Sequence, residues 1–287
     1  MILLTGATGT VGRLVAERLA GTGPLRLLTR DPHRVTLAGP GIEVVRGDFD
    51  DPAGLRAALT GVRSALLVTS NPLAPAQDEN FVAASRAAGV PQVVKLSAQA
   101  VTDPGATDLI TRWQRYNEEL LLASGLAWTF LRPRAFMSNT LGWARSVREE
   151  GVVRGPDGTA RNANVDPRDI ADVAVRALSD PEGHAGRAYA LTGPAGVTPV
   201  EQTEILGELL QRRLKYVQLT EYQVLQGLLA RYPEPVAHAL AESTARGRHG
   251  SKGQVEPDVA ELLGRPARGY REWAAEHRAE FGGPAAG

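Results

Sequence analysis

The chain has no cysteine among its 287 residues. That excludes disulfides, thiolate nucleophiles and cysteine-based zinc sites together. Lysine is scarce as well, confined to Lys95, Lys215 and Lys252, so basic charge rests almost wholly on arginine. The five histidines, His33, His184, His238, His249 and His277, are scattered without metal-ligand spacing. They read as surface or capping imidazoles, and no protein-bound metal is expected. Neither sign of charge is in excess, with 32 basic against 32 acidic residues. Nothing therefore draws the chain as a whole to nucleic acid or to an anionic membrane surface. No apolar run approaches the length of a membrane span, and the N-terminal apolar stretch is too short for a signal peptide and lacks its basic flank. The expected setting is cytoplasmic.

What is present is an ordinary globular composition, 43 % hydrophobic and 22 % charged, enough for a large domain with a smaller lobe. The first half alternates short apolar runs with helical patterns, which is how βαβ units and a parallel sheet appear in sequence. "MILL", "LRLLT", "IEVVRGD", "SALLVTS", "QVVKLSA" and "WTFLRP" read as six successive strands. Val11, Leu14, Val15 and Leu19 form the stripe of a helix packed on a sheet. "DENFVAASRAAG" and "RWQRYNEELLLASG" are further helices, the second closed by Gly125. Past Pro133 the rhythm breaks, and an inserted lobe is expected. In "VDPRDIADVAVRAL", Asp166 caps a helix, Pro167 takes its first position and Asp169 sits near its positive end. "RAYALTG" reads as the last strand of the sheet. Thr198, Pro199 and Glu201 then form a capping box that opens a helical C-terminal region. The Gly/Ala tail after Phe281 reads as frayed.

The chemistry begins at "TGATGTVG". A glycine-rich turn from a strand's C-terminal end into a helix aims bare N–H groups and the positive helix end at one point, where a pyrophosphate fits. Gly6 permits the sharp turn, Gly9 lets the backbone approach the anion, and Gly12 lets the helix pack closely on the strand. The second strand ends in Thr29 and Arg30, where an acid would meet a free ribose 2′-OH. A guanidinium there matches a phosphate in charge and shape, which favours NADP(H) over NAD(H). Arg13 and Arg34 are candidates for the same patch. Asp48 and Phe49, ending the third strand, stand where an adenine amino group and ring face would lie. Asp48 reads equally as a turn cap.

"TGATGTVG", "RGDFDD", "ASGLAWTFLRPRAFMSN", "VDPRDIADVA" and "GYREWAAEH" together resemble the NmrA-like branch of the atypical short-chain dehydrogenases/reductases, over nearly the whole chain. The resemblance implies an α/β fold: a Rossmann doubly wound parallel sheet over 1–133 and 165–193, and a smaller, mainly helical lobe over 134–164 and 194–287 that closes a cleft. It also implies NADP(H) and two kinds of member, reductases of quinones or enones and cofactor-sensing regulators that turn nothing over. Gly6, Thr8, Gly9, Thr10, Val11, Gly12, Arg30, Asp48, Phe49, Thr69, Ser70 and Lys95 fall where such proteins contact the cofactor. Thr69 and Ser70 would lie along the pyrophosphate and the nicotinamide ribose.

One departure matters. No tyrosine in the chain has a lysine four positions after it, whereas ordinary short-chain enzymes use Tyr-x-x-x-Lys to protonate a nascent alkoxide. Aligning Glu118 with the family's acidic residue puts Ile110 and Gln114 at the two positions. Lys95 in "VVKLS" and Ser97, on the same side of that strand, are the candidate acids. Both also read as structural or ribose hydrogen-bonding groups. Tyr116 has no lysine partner. Arg132, Phe136, Met137 and Asn139 leave the sixth strand as candidate substrate contacts, with core packing the other reading of Phe136 and Met137. The expected activity is NADPH-dependent reduction of a small planar electrophile, a quinone or an enone. The rival readings are a redox-sensing regulator with a protein partner and a tailoring reductase for an aromatic polyketide.

Overall fold

The computed structural model describes residues 1–247 and 251–284. His249 and the end of the Gly/Ala tail, 285–287, lie outside the described residues. In chain order the first half runs β1 (Ile2–Thr5), α1 (Thr10–Leu19), β2 (Leu25–Thr29), β3 (Ile42–Arg46), α2 (Pro52–Leu59), β4 (Ser64–Leu67), α3 (Ala76–Ala87), β5 (Gln92–Leu96), α4 (Leu109–Ala123) and β6 (Ala127–Pro133). After it come α5 (Ala144–Glu150), β7 (Val152–Gly155), α6 (Pro167–Ser179), α7 (Pro181–His184) and β8 (Arg187–Leu191). The C-terminal region holds α8 (Pro199–Leu210), β9 (Lys215–Gln218), α9 (Glu221–Leu229), α10 (Glu234–Arg246), α11 (Asp258–Leu263) and α12 (Tyr270–Glu276).

Seven strands form one sheet in the order β3-β2-β1-β4-β5-β6-β8, and every pairing from β3 to β6 is parallel. A parallel sheet is covered on both faces, so its central strands read as unbroken apolar runs. All four residues of β1 and of β4 are buried. On one face α1 packs with α6, and Arg18 pairs with Asp172 between them. On the other, Leu55, Leu59 and Phe81 of α2 and α3 close over Leu3, Leu67 and Val93. The six strands and the last strand of the sheet stand where the sequence predicts them.

Helices α5 and α7 are not marked in the sequence reading, and two further features escaped it. Helix α2 is one; it opens with Asp51 accepting the N–H groups of Ala53 and Gly54 and with Pro52 in its first turn, the same Asp-Pro signature that was read at Asp166 and Pro167. The second is a two-stranded parallel sheet, β7 with β9, in register from Val152 opposite Lys215 to Gly155 opposite Gln218.

Contacts divide the chain into two compact units. The first holds Met1–Thr102, Thr111–Pro133 and Pro167–Ala190; the second holds Asp103–Ile110, Arg134–Asp166 and the described residues from Leu191 on. Segment 103–110, which the sequence reading kept with the sheet, thus belongs to the second unit. That unit has its own apolar core, in which Trp273 stacks on Tyr270 and His277 beside Met137, Val153, Leu206 and Phe281. The capping box predicted at Thr198 and Glu201 is formed in both directions at the start of α8.

Candidate functional site

The strand order turns back at β1, which has β2 on one side and β4 on the other. In an open parallel sheet, ligands bind outside the strand C-terminal ends at such a point. Thr5 ends β1 there, its hydroxyl donating to the Leu66 carbonyl at 3.0 Å and accepting the Val68 N–H at 2.8 Å. Gly6 follows with φ +65°, and a Cβ on it would stand 3.1 Å from Val68 Cβ. The Gly9 N–H donates back to the Gly6 carbonyl at 2.8 Å. Gly9 is the N-cap of α1 and offers no side chain to cap it, and no acid stands in the first turn. A Cβ on Gly12 would lie 2.2 Å from the Gly6 carbonyl oxygen, so the helix sits directly on the turn. An uncapped, acid-free helix start over a glycine cradle fits a pyrophosphate. Thr8 is half-buried at its rim and Thr10 is exposed, while Val11 is buried with Gly12.

At the far end of β2, Arg30 is exposed and makes no ion pair among the described residues. The neighbouring Asp31 carboxylate accepts the His33 N–H at 3.1 Å and so caps the turn Pro32–Arg34. Arg13 pairs with Glu17 along α1 at 2.6 Å, whereas Arg34 is exposed in that turn. Asp48 uses one oxygen to accept the Asp50 N–H at 3.1 Å, a turn cap. Phe49 is half-buried, edge-on to Phe81 at 5.9 Å.

Beyond β4 and β5 lies a polar network with almost no access to solvent. Lys95 is 0 % exposed. Its ammonium donates to Thr69 Oγ1 at 3.0 Å and to the Leu96 carbonyl at 3.1 Å, 3.6 Å from Asp78 Oδ1 and over the Trp113 ring. Asp78 is buried too, and accepts from the Thr69 hydroxyl at 2.8 Å and from Trp113 Nε1 at 3.2 Å. Burial pushes the Lys95 pKa below the usual lysine range, and Asp78 works against that push. Ser97 donates to Glu118 Oε1 at 2.6 Å, and Arg132 grips both Glu118 oxygens, at 3.0 and 2.6 Å. Lys95 and Ser97 therefore both face α4, through Trp113 and Glu118. The Ser97 hydroxyl hydrogen and the Arg132 fork are directed into the protein. Ser70 is exposed. Tyr116 is exposed and donates to Glu79 at 2.6 Å, which raises its pKa.

Asp78 and Trp113 are the residues that sequence reasoning missed. A lysine inside an apolar strand calls for a buried carboxylate, and that was the available signal. Nothing local told Asp78 from Glu79 beside it.

The remaining candidates stand in the second unit. Phe136 is half-buried and bridges to Val165. Met137 is 2 % exposed and part of the apolar core, which is the packing alternative raised for it. Asn139 is exposed in the 3₁₀ turn Met137–Trp143. No group of three or more His, Cys, Asp or Glu able to hold a metal occurs among the described residues, and no helix there is long and apolar enough to cross a membrane.

A family model described as NAD(P)H-binding matches residues 6–181. The chain is 53 % identical to a (4-alkanoyl-5-oxo-2,5-dihydrofuran-3-yl)methyl phosphate reductase of Streptomyces griseus, over 98 % of this chain and 99 % of that protein. It is 36 % identical to an NAD(P)H azoreductase of Xenophilus azovorans, again over 98 % and 99 %. Among solved structures, an NADPH-dependent quinone oxidoreductase of Escherichia coli complexed with NADPH superposes with a TM-score of 0.85 at 30 % identity, over 98 % of this chain and 99 % of that one.

Proposed function

The chain belongs to the NAD(P)H-binding family, in its NmrA-like branch of atypical short-chain reductases, and from that premise we propose that it is an NADPH-dependent reductase of small, planar, conjugated electrophiles. The observation that carries this is the turn from β1 to α1, where Gly6 and Gly12 admit no side chain and Gly9 leaves the helix start open. When bound, the reduced nicotinamide supplies the hydride.

The chain's own contribution is to bind and orient. The N–H groups of Thr10, Val11 and Gly12 hold the pyrophosphate, with Thr8 beside them. Arg30, whose guanidinium makes no ion pair among the described residues, holds the 2′-phosphate, and Arg34 adds to it. Phe49 covers the adenine, and the second oxygen of Asp48 accepts from its amino group. Thr69 and Ser70 line the ribose next to the nicotinamide. Lys95 and Asp78 fix Thr69 from behind; Ser97 and Arg132 fix Glu118. All four act as positioning residues on this reading, and Lys95 contacts the cofactor only through Thr69.

The acceptor follows from the missing proton donor. With no Tyr-x-x-x-Lys pair in the sequence and the Ser97 hydrogen held by Glu118, the favoured acceptor is one whose reduced anion is delocalised enough for water to protonate. The relatives' names support that. A 4-alkanoyl-5-oxo-2,5-dihydrofuran carries a ring double bond conjugated with two carbonyls, and azo compounds and quinones are also electron-poor π systems. The test is NADPH consumption with an acyl-substituted butenolide and with a simple quinone, beside calorimetric binding of NADPH. Turnover of either supports the reading. Tight binding with no turnover of either replaces it with the sensor.

A further inference from the structure

The second unit contains a cavity of about 50 Å³. A single buried water needs only about 10–15 Å³, so the space suits a group of several heavy atoms. Its wall is mostly apolar, with Met137, Val197 and the ring of Tyr270 among its members, and no described residue in it carries a charged side chain. Three amides complete it: Asn162, Asn164 and Gln202.

The frame around those amides is fixed. Asn162 and Val197 exchange backbone hydrogen bonds at 3.2 and 3.0 Å. Gln202 stands in the first turn of α8, behind the Thr198–Glu201 capping box, and is 4 % exposed. The Tyr270 hydroxyl is turned to Thr140 at 3.2 Å. Yet each amide keeps one buried atom without a hydrogen-bond partner among the described residues: Asn162 Oδ1, Asn164 Oδ1 and Gln202 Nε2. Buried polar atoms are nearly always satisfied, and an exception calls for a physical reason. Three such exceptions belong to residues that line one cavity.

We propose that this cavity is a binding site for a small uncharged ligand group with two donors and one acceptor, a primary carboxamide. The two asparagine carbonyls accept its two N–H bonds, and Gln202 Nε2 donates to its oxygen. A carboxylate is disfavoured because its lone pairs would face two carbonyl oxygens, with no described charged side chain in the lining to offset them. A tertiary amide or an ester brings no donor and leaves both asparagines unsatisfied.

Met137 provides the readout, because the chain has only two methionines, Met1 and Met137. The full chain, labelled with [¹³C-methyl]methionine and free of NADPH, is titrated with acetamide, acetate and N,N-dimethylacetamide. The site predicts a saturable shift of the Met137 signal with acetamide and none with the other two. Gln202→Leu should weaken the acetamide response about tenfold, as loss of one hydrogen bond implies. A non-saturating response to acetamide, or equal responses to acetamide and its dimethyl form, would mean the amides serve bound water only. Should Gln202→Leu fail to fold, the selectivity series on the unmutated chain decides alone. None of these readings depends on NADPH or on turnover, so failure here leaves the reductase proposal standing, and the reverse.

Discussion

Gly9 and Gly12 are three residues apart and should fail in different ways. Gly9 is exposed with an ordinary φ of −92°, and a Cβ there would meet only the Gly6 carbonyl, at 3.2 Å. Gly9→Val is therefore expected to fold and to lose NADPH binding, because the new side chain fills the pyrophosphate's place. Gly12→Ala drives a Cβ to within 2.2 Å of backbone, so it should lower the melting temperature as well. Calorimetry and thermal melts on both variants check this; NADPH binding retained by Gly9→Val would remove the turn from the site. Arg30→Ala should cut the preference for NADPH over NADH by about 1.5–3 kcal/mol, the range for a hydrogen bond to a charged group, with NADH affinity unchanged. Equal cofactor affinities in the unmutated protein would place Arg30 off the site. The positions of these residues were legible in the sequence because what sets them is local: a turn, a helix start, a strand end. Lys252 was not. Burial, then Arg246 and Arg134, bring its pKa from 10.5 down to about 8, against Asp108 and Asp103. The unfolded chain holds that proton more tightly, so the burden on the fold is full below about pH 8 and eases as pH rises toward 10.5. Urea melts should show the protein gaining stability relative to Lys252→Met across that window. A constant difference would contradict the assignment.

Between elements, the decisive tie is Asp78 of α3 with Lys95 of β5, both enclosed. Removing one partner of a buried pair strands the other charge, at a cost of about 3–5 kcal/mol. Asp78→Asn should lose stability on that scale in urea melts, and adding Lys95→Met should recover much of it. If the two losses simply add, Lys95 is not held by Asp78. Elements whose pattern is intrinsic were legible. Strands β1 and β4 are covered on both faces and read as apolar runs, and α6 and α8 announce themselves through Asp166-Pro167 and Thr198-Pro199. Helix α2 carries the same signal at Asp51-Pro52. Strands β7 and β9 are four residues each, too short for an alternation to register, and what makes them a sheet is a partner far along the chain. The same non-locality hid the Asp78–Lys95 pair: helix and strand periodicity place each residue on a face but do not say which acid meets which base.

For the molecule as a whole, the account turns on where the proton comes from. The family resemblance points to a cofactor attachment at the β1–α1 turn and at the same time exposes the missing Tyr-x-x-x-Lys pair. The structure adds that Ser97 is spent on Glu118, Lys95 on Thr69 and Leu96 beside Asp78, and Tyr116 on Glu79 at the outer surface of α4. Reduction of an isolated ketone builds charge on one basic oxygen, and a positioned acid is worth about 10²–10⁴-fold in that step. A conjugated acceptor spreads the charge, so positioning supplies most of what the protein must contribute. The most direct measurement is kcat/KM with NADPH for two acceptors on the same ring skeleton, a cyclic enone and its saturated ketone. The account predicts turnover of the enone, with the saturated ketone slower by about 10²–10⁴-fold or inert, and little loss with the enone in Tyr116→Phe. Comparable rates for the two acceptors would contradict it, by showing that a group in this protein delivers the proton after all.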